Sequence, residues 1–380
     1  MSKSLGQLDH VVFAGGGTAG HLFPGLAVAD QLRRWAPETR ITFAGTGKPF
    51  EARHVRAAKF EQLALRCRPF PQKASEALRF LTENVSGYYQ ARKYLRDEHV
   101  SLVVGLGGYA SVPAARAAAA LGIPYVLLEQ NAVPGRATRW LAPGAALVCL
   151  AFEEARAHLK NGCPVRATGN PLRREFFEAR PASTFPTRRY SQPQTLVVLG
   201  GSGGAQTLNQ QVPMALYKAG IAVRSWQIVH QTGERGLAAT ATLYRKLGIV
   251  AKTVPFIENL PGVLGASQLA ISRAGGTTLA ELAAAGVPSV LLPYPQATGD
   301  HQRKNAEVFV AAGAAQMVDE REVVGRLDNH LAQAVIELAT NEAKRATMAD
   351  AASRLARPTA TRRVTKSLVT LLAHAAFATA

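Results

Sequence analysis

The chain has 380 residues, of which 47% are apolar and 18% charged, and its formal net charge is +18. This length favours two domains, and the composition excludes a low-complexity or fibrous chain. The strong basic excess is typical of proteins that bind anionic partners, such as nucleic acid, acidic lipid or phosphorylated substrates.

The cysteine content and the hydropathy further limit the class of protein and its compartment. The three cysteines, Cys67, Cys149 and Cys163, show no CxxC spacing, which argues against a disulfide framework or a zinc site and indicates a reducing compartment. The first ten residues lack the apolar core of a signal peptide, and no apolar stretch reaches the roughly 20 residues that span a bilayer. We therefore expect a cytoplasmic protein whose only membrane contact is peripheral.

The first predicted elements are a buried strand at residues 10–14, a glycine-rich turn at residues 15–21 and a helix beginning near Pro24. Three glycines of the turn fit the G-x-G-x-x-G pattern of dinucleotide-binding folds. Such folds also place an acid at the end of the second strand, where this chain has Gly45. The pattern therefore disfavours NAD and favours a loop that faces another phosphate or a sugar.

Residues 66–96 depart from the alternation of strands and helices. They contain seven Lys or Arg and two Glu, interleaved with aromatic and aliphatic residues. One interpretation is a surface that lies against anionic lipid head groups, with apolar side chains dipping between them. The other is an amphipathic helix pair that packs on its own domain and exposes a basic face to water.

Strands are predicted again at residues 101–104, 125–128 and 145–150, and the stretch 165–171 is predicted as an extended linker because Asn170 precedes a proline. A second strand, glycine turn and helix begin at residue 195, roughly 185 residues after the first set. The repeat predicts two similar Rossmann-like domains, with a ligand site in the cleft between them.

The second glycine turn, residues 200–205, has two interpretations. Its G-x-S-x-G pattern around Ser202 matches the nucleophile elbow of α/β-hydrolases, but no supporting pattern supplies the later Asp and His. Alternatively, the small residues let backbone amides and the Ser202 hydroxyl approach a diphosphate. No Asp-x-Asp pair is present to hold a metal, so Arg273 or Arg173 would have to neutralise a leaving phosphate.

Residues 268–305 are predicted to form two strand–turn–helix units at the same edge of the second sheet. The first turn aims helix N-terminal amides outward, which suits an anion, and Glu281 could accept hydrogen bonds from a ribose diol. An ordinary helix with a solvated Glu281 is the alternative. His21, beside the first glycine turn, is a candidate general base or a loop-capping residue, and His230 and His301 lie in comparable turns.

Nine sequence blocks, in this order, resemble a known family. They are GGGTAGHLFPGLAVA (15–29), GLGGYASVPAARAA (105–118), EQNAVPGRAT (129–138), TGNPLR (168–173), GGSGGA (200–205), HQTG (230–233), FIENL (256–260), RAGGTTLAE (273–281) and DHQRKNA (300–306). Together they resemble the MurG family of peptidoglycan glycosyltransferases, over residues 10 to about 310. The chain departs from the family at Gly203 and His301, where the family often has Gln.

The resemblance implies an α/β fold of two Rossmann-like domains facing across a cleft (GT-B), without metal or cofactor. Residues 1–167 would form the N-terminal domain, with the lipid-linked acceptor site and the membrane face. Residues 168–357 would bind UDP-GlcNAc, and residues 358–380 would form a C-terminal helix that packs back on the N-terminal domain.

The implied reaction is inverting transfer of GlcNAc from UDP-GlcNAc to the C4 hydroxyl of undecaprenyl-diphospho-MurNAc-pentapeptide. This step converts lipid I into lipid II in peptidoglycan synthesis, and so serves cell shape and cell division. The alternative is another GT-B UDP-sugar transferase with a lipid acceptor. The resemblance also implies a peripheral enzyme on the cytoplasmic face of the inner membrane, in contact with anionic lipid. It leaves no role for nucleic acid, for which the chain has no motif.

The resemblance also implies site residues, with His21 as general base. The residues implied to bind UDP-GlcNAc are Thr18, Ala19, Gly20, Asn131, Arg173, Ser202, Ile257, Gly276, Thr277, Thr278, Leu279, Ala280, Glu281 and Gln302. Of these, Asn131 and Gln302 would contact the sugar, and Arg173 and Ser202 the diphosphate. Ile257 would meet uracil through its backbone, and Glu281 would bind the ribose.

Overall fold

The computed structural model describes residues 10–71, 73–178 and 193–378, with side chains as far as residue 373. The chain divides into two compact units: unit 1 comprises Met1–Arg173 and Thr359–Ala380, and unit 2 comprises Arg174–Pro358. The prediction about the first ten residues falls almost wholly outside the described residues. Among the residues that are described, no helix has both the length and the hydropathy needed to cross a bilayer.

Unit 1 is built on a seven-stranded parallel sheet. Its strands are β1 (His10–Ala14), β2 (Arg40–Gly45), β3 (Glu61–Ala64), β4 (Leu102–Gly105), β5 (Tyr125–Glu129), β6 (Leu147–Leu150) and β7 (Val165–Ala167). The helices between them are α1 (Ala19–Trp35), α2 (Pro49–Ala57), α3 (Ala77–Asp97), α4 (Val112–Ala120) and α5 (Arg136–Leu141). The strand order is β3-β2-β1-β4-β5-β6-β7, so the order reverses between β1 and β4. The carboxyl ends of these two strands form the first switch point, where such sheets bind ligands.

Unit 2 repeats this plan on a six-stranded parallel sheet. Its strands are β8 (Thr195–Leu199), β9 (Gln227–Gln231), β10 (Ala251–Val254), β11 (Leu269–Ser272), β12 (Ser289–Leu291) and β13 (Ala315–Met317). Its helices are α6 (Glu175–Glu178), α7 (Gln206–Ala219), α8 (Leu237–Lys246), α9 (Leu260–Gly265), α10 (Gly276–Ala285), α11 (His301–Ala311), α12 (Leu327–Thr340) and α13 (Glu342–Leu355). The order β10-β9-β8-β11-β12-β13 reverses between β8 and β11, which form the second switch point.

The central strands are covered by helices on both faces, which explains their unbroken apolar runs. Every residue of β1 and of β8 is buried. The last helix, α14 (Ala360–Ala378), belongs to unit 1, where the Thr361 hydroxyl donates to the Leu172 carbonyl at 2.9 Å. The predicted α/β class, with two Rossmann-like domains and a C-terminal helix that returns to the first, is confirmed.

Some predicted element boundaries are wrong. Helix α1 begins at Ala19 rather than near Pro24, because Thr18 is extended and its carbonyl accepts the Leu22 amide at 3.1 Å. The edge strands β3, β7 and β13 were not predicted, and β7 falls in the predicted linker. These strands are short and largely half-buried or exposed, so they lack the apolar runs that mark central strands.

Within residues 66–96 the structure has one long helix, α3, which begins at Ala77, rather than a helix pair, and Gln72 in this stretch lies outside the described residues. The chain before α3 packs closely on it, since a Cβ added to Gly87 would overlap the Arg66 carbonyl oxygen. The only residues of α3 that are buried are Gly87, Ala91 and Leu95. Most of this helix is therefore exposed on unit 1 as described.

Candidate active site

At the first switch point a glycine loop, residues 15–17, leads from β1 into α1. Residues 18–20 begin this helix and are exposed or half-buried. His21 lies on the same turn, half-buried, with its Nδ1 3.2 Å from the Thr18 hydroxyl oxygen. Its ring rests against the loop after β4, because a Cβ added to Gly107 would lie 3.0 Å from the ring. The structure thus places His21 beside residues 18–20, on a helix rather than in a loop.

The first glycine loop is held by Glu51, to which no sequence motif assigned a role. Its buried carboxylate accepts the Gly17 amide, the Thr46 hydroxyl at 2.7 Å and the Gly47 amide at 3.0 Å. Glu51 is the third residue of α2, so the helix N-terminus also stabilises its negative charge. The Gly17 amide therefore has an internal anion as its partner, where a dinucleotide fold would use the loop amides on a phosphate.

Two further predicted residues of unit 1 are fixed by their neighbours. The backbone and side-chain amides of Asn131 both donate to Oε1 of the buried Glu129, at 3.0 and 3.1 Å. The guanidinium of Arg173 stacks over the ring of Phe23 in α1, 4.5 Å from its centroid. Both side chains therefore have defined orientations within unit 1.

The second glycine loop, residues 200–205, joins β8 to α7 and contains the half-buried Ser202. It packs directly on the backbone after β9. A Cβ added to Gly204 would overlap the Thr232 carbonyl oxygen, and one added to Gly233 would lie 2.6 Å from the facing loop. Both glycines also have φ above +70°, a conformation that other residues rarely adopt. Only glycine fits between these two loops.

Helices α7 and α10 begin at the second switch point without a side-chain cap. Their N-cap residues are Ala205 and Gly275, and neither helix has an acidic residue in its first turn. The strands that precede them, β8 and β11, are neighbours in the sheet. The first amides of a helix have no partner within it and attract anions. In the described part of the chain, no group of three His, Cys, Asp or Glu has the form of a metal site.

The predicted residues 276–281 form the first two turns of α10. Leu279 belongs to the hydrophobic core, which closes its side chain to a ligand, and its amide donates to the Gly275 carbonyl at 2.9 Å. Glu281 is buried on the second turn. The exposure of the set varies: Gly276, Thr277, Leu279 and Glu281 are buried, and Thr278 and Ala280 are half-buried.

Two glutamine side chains connect loops at this edge of the sheet. Oε1 of Gln302 accepts the Ala274 amide at 3.2 Å and the Tyr294 amide at 3.0 Å, which joins the ends of β11 and β12. Oε1 of Gln231 accepts the Ile257 amide at 3.0 Å, beyond β10. Gln302 was predicted as a site residue. Gln231 belongs to the HQTG block, but no role was predicted for it. Its position at the end of a predicted strand was the feature of the sequence that could have indicated one.

The structure does not support the prediction that Arg273 faces a phosphate. Arg273 is buried and forms an ion pair with Glu320. Its Nη1 also donates to the carbonyls of Leu292 and Pro293, at 3.1 and 3.2 Å. The charge of Arg273 is thus matched inside unit 2, where it joins the ends of β11, β12 and β13.

The two other candidate histidines have structural contacts. His230 is fully buried in β9, its Nδ1 is 2.9 Å from the Tyr244 hydroxyl, and burial lowers its pKa to about 3. It is therefore neutral near pH 7 and closed off from solvent. The Nδ1–H of His301 donates to the Thr298 carbonyl at 2.8 Å, at the beginning of α11.

Comparison with known families covers both units. Residues 11–149 match the glycosyltransferase family 28 N-terminal domain, and residues 195–364 match the glycosyltransferase family 28 C-terminal domain. The two matches follow the two sheets described above, and together they cover most of the chain.

Curated relatives match over nearly their whole length. A protein of Geobacter sulfurreducens is 37% identical over 94% of this chain and 98% of its own, and one of Carboxydothermus hydrogenoformans is 38% identical over 95% and 97%. Both are named UDP-N-acetylglucosamine–N-acetylmuramyl-(pentapeptide) pyrophosphoryl-undecaprenol N-acetylglucosamine transferase.

A solved structure agrees with these matches. The crystal structure of Acinetobacter baumannii MurG is similar with a TM-score of 0.71 and 30% identity, over 95% of this chain and 99% of that one. The family models, the curated relatives and the solved structure therefore all indicate a glycosyltransferase, and the predicted class of enzyme is confirmed. The chain belongs to glycosyltransferase family 28 and, within it, to the MurG family of N-acetylglucosaminyltransferases.

Proposed function

We propose that this chain transfers GlcNAc from UDP-GlcNAc to the C4 hydroxyl of undecaprenyl-diphospho-MurNAc-pentapeptide, converting lipid I into lipid II. The observation that carries this proposal is the match, at 37% and 38% identity, to proteins named for that transfer over nearly their whole length. Unit 1 takes the lipid-linked acceptor, and unit 2 takes the nucleotide sugar. The product serves peptidoglycan synthesis, on which cell shape and division depend.

The second switch point supports the donor half of this proposal. The uncapped N-termini of α7 and α10, with the Ser202 hydroxyl, supply donors for the diphosphate. The Ile257 amide already donates a hydrogen bond to Oε1 of Gln231. The Ile257 carbonyl is therefore the backbone group that accepts the N3–H of uracil. Glu281 accepts the ribose hydroxyls. The oxygen of Gln302 is fixed by two backbone amides, and its NH₂ group donates to the GlcNAc hydroxyls.

The reaction is a direct displacement. The acceptor C4 oxygen bonds to the anomeric carbon of GlcNAc while the bond from that carbon to UDP breaks, which inverts the configuration. His21 lies at the first switch point, with its Nδ1 3.2 Å from the Thr18 hydroxyl oxygen, and we assign it as the base that takes the proton of the attacking hydroxyl. The charge that develops on UDP is stabilised by preoriented helix amides.

An assay with two donors and two acceptors tests this function. Radiolabelled UDP-GlcNAc with a short-chain analogue of lipid I is expected to give the labelled disaccharide product. UDP-galactose with the same acceptor, and UDP-GlcNAc with diacylglycerol, are expected to give none. Transfer to diacylglycerol but not to the lipid I analogue would replace this proposal with the other lipid glycosyltransferase that the sequence left open.

Helix α3 supports a membrane face on unit 1. The exposed fractions of Leu78, Leu81, Val85 and Tyr89 are 74%, 56%, 52% and 60%, and their spacing places them on one side of the helix. Phe70 and Trp140 are also exposed, near Arg136 and Arg116 respectively. An exposed apolar stripe among basic residues suits an anionic lipid surface. We therefore propose peripheral attachment to the inner face of the cytoplasmic membrane.

Vesicle flotation tests this face. Wild-type protein is expected to float with vesicles rich in anionic lipid at low salt, and less at high salt, because ions screen the basic residues. The double variant Leu81→Ser/Val85→Ser is expected to lose most of this binding. Ile221→Ser in unit 2, at an apolar residue that is more exposed than either of these, is the control and should bind as wild type. Equal binding by all three proteins contradicts the proposed face.

A further inference from the structure

The side chain of Gln231 joins the ends of three neighbouring strands in unit 2. Gln231 is the last residue of β9, which lies between β8 and β10. Its Nε2 donates to the Gly201 carbonyl beyond β8 at 2.8 Å, and its Oε1 accepts the Ile257 amide beyond β10 at 3.0 Å. Each end of one amide group therefore fixes a different loop.

The side chain of Gln231 makes these hydrogen bonds from a buried position, since the residue is only 4% exposed. Its own carbonyl also accepts the Gly200 amide at 3.3 Å, at the beginning of the second glycine loop. With the Gly201 carbonyl turned inward to Gln231, the peptide group at this point has one fixed orientation. With the Ile257 amide turned inward, its carbonyl is the group left for a ligand.

We propose that Gln231 is a positioning residue that couples two parts of the UDP site. These parts are the diphosphate-facing loop 200–205 and the base-facing backbone of Ile257, so the inference rests on the proposed function and deepens it. A glutamine suits this place because its amide has one donor end and one acceptor end, each facing a backbone group of the opposite kind. Removing the amide leaves the buried Ile257 amide unsatisfied and leaves the Gly201 carbonyl with the Gly204 amide, at 3.1 Å, as its partner. Each loop then loses a hydrogen bond that fixes it, and both loops shift.

The chain supplies a matched control at the other end of the same sheet. Oε1 of Gln268 accepts the Thr195 amide at 2.7 Å, and its Nε2 donates to the Ala266 carbonyl at 3.1 Å. This glutamine makes the same two kinds of hydrogen bond, at the amino end of β8 and away from the switch point. A general loss of stability should therefore appear in Gln268→Met as well as in Gln231→Met.

The test compares these variants in the full-length protein. Gln231→Met is expected to raise the Kd for UDP, measured by calorimetry, and the KM for UDP-GlcNAc by about tenfold or more. Its kcat and its KM for the lipid I analogue should stay within about threefold of wild type. Gln268→Met should lower the melting temperature and leave the Kd for UDP within about twofold. Wild-type UDP affinity in Gln231→Met, or an equal loss in Gln268→Met, overturns the proposal.

A second variant separates the two loops and is available if Gln231→Met does not fold. Gln231→Glu keeps the acceptor for the Ile257 amide but has no donor for the Gly201 carbonyl. We expect it to weaken inhibition by UDP and to leave inhibition by uridine, which has no diphosphate, near the wild-type level. Wild-type inhibition by UDP in this variant contradicts the inference. Failure of the wild-type protein itself to bind UDP overturns the proposed function, and the inference with it.

Discussion

In unit 1 a glycine loop after β1 leads into α1, and in unit 2 a glycine loop after β8 leads into α7. Both loops lie where the strand order of their sheet reverses. The groups behind them differ in charge. The carboxylate of Glu51 accepts a hydrogen bond from the Gly17 amide of the first loop. The neutral side-chain amide of Gln231 donates one to the Gly201 carbonyl of the second loop.

This difference suits the two loops to the different ligands that we propose for them. A loop amide that already binds an internal carboxylate is not available to a phosphate, and the nearby negative charge repels one. A loop whose carbonyl is turned inward, beside two uncapped helix N-termini, still offers donors to an anion. We infer that the first switch point serves a sugar hydroxyl and its proton, and that the second serves the charged diphosphate.

The largest effect is expected from the histidine of the first switch point. His21→Ala should lower kcat about 100-fold, the usual cost of losing a general base, with the Kd for UDP unchanged. Single-turnover rates and UDP calorimetry on the same protein measure both quantities. An unchanged kcat would show that His21 is not the general base. A large loss of UDP affinity would contradict the inference that His21 serves the acceptor hydroxyl and not the diphosphate.

Removal of the internal anion should have the next largest effect. Glu51→Ala removes the acceptor of three part-buried hydrogen bonds, so we expect unit 1 to lose about 3 kcal/mol of stability and kcat to fall at least tenfold. Urea unfolding and initial rates measure these changes. The exposed Glu38 provides the control, since Glu38→Ala should alter neither. Wild-type kinetics in a folded Glu51→Ala protein would show that the carboxylate does not position the first loop.

The sequence was sufficient to predict the fold class, because β1 and β8 are unbroken apolar runs followed by glycine turns. Through the DHQRKNA block, it also led to the prediction that Gln302 contacts the sugar, which stays a prediction. It could not assign Glu51 or Gln231, because each acts through a backbone group more than 25 residues away along the chain, on another strand end. Arg273 was misassigned for the same reason: its partner Glu320 follows β13, a strand with no clear sequence signal.

A smaller effect tests the ribose contact at the second switch point. Glu281→Gln should raise the KM for UDP-GlcNAc about tenfold, because a hydrogen bond to a charged acceptor is replaced by one to a neutral group. Inhibition by 2′-deoxy-UDP provides the comparison. Wild-type protein should bind it more weakly than UDP, and Glu281→Gln should distinguish the two nucleotides less. Equal discrimination by both proteins would refute the ribose assignment.

The smallest effect on catalysis is expected from His230, the buried histidine of β9. His230 is neutral and buried, with a pKa near 3, whereas in the unfolded chain it titrates near its ordinary value of about 6.5. The unfolded state therefore binds one more proton between these values. His230 thus makes stability fall as pH decreases from about 6.5, by up to about 1.4 kcal/mol per pH unit. Full stability from this group is present above pH 6.5.

The double variant His230→Phe/Tyr244→Phe removes both hydrogen-bonding partners at once, so neither is left unsatisfied. We expect its kcat to stay within about twofold of wild type at pH 7.5. Its free energy of unfolding should depend less on pH between 6.5 and 4.5, as measured by urea titrations at four pH values. A large loss of kcat would indicate that His230 also takes part in the reaction, and would contradict the different roles inferred for His21 and His230. An unchanged pH slope would mean that other groups cause the acid sensitivity.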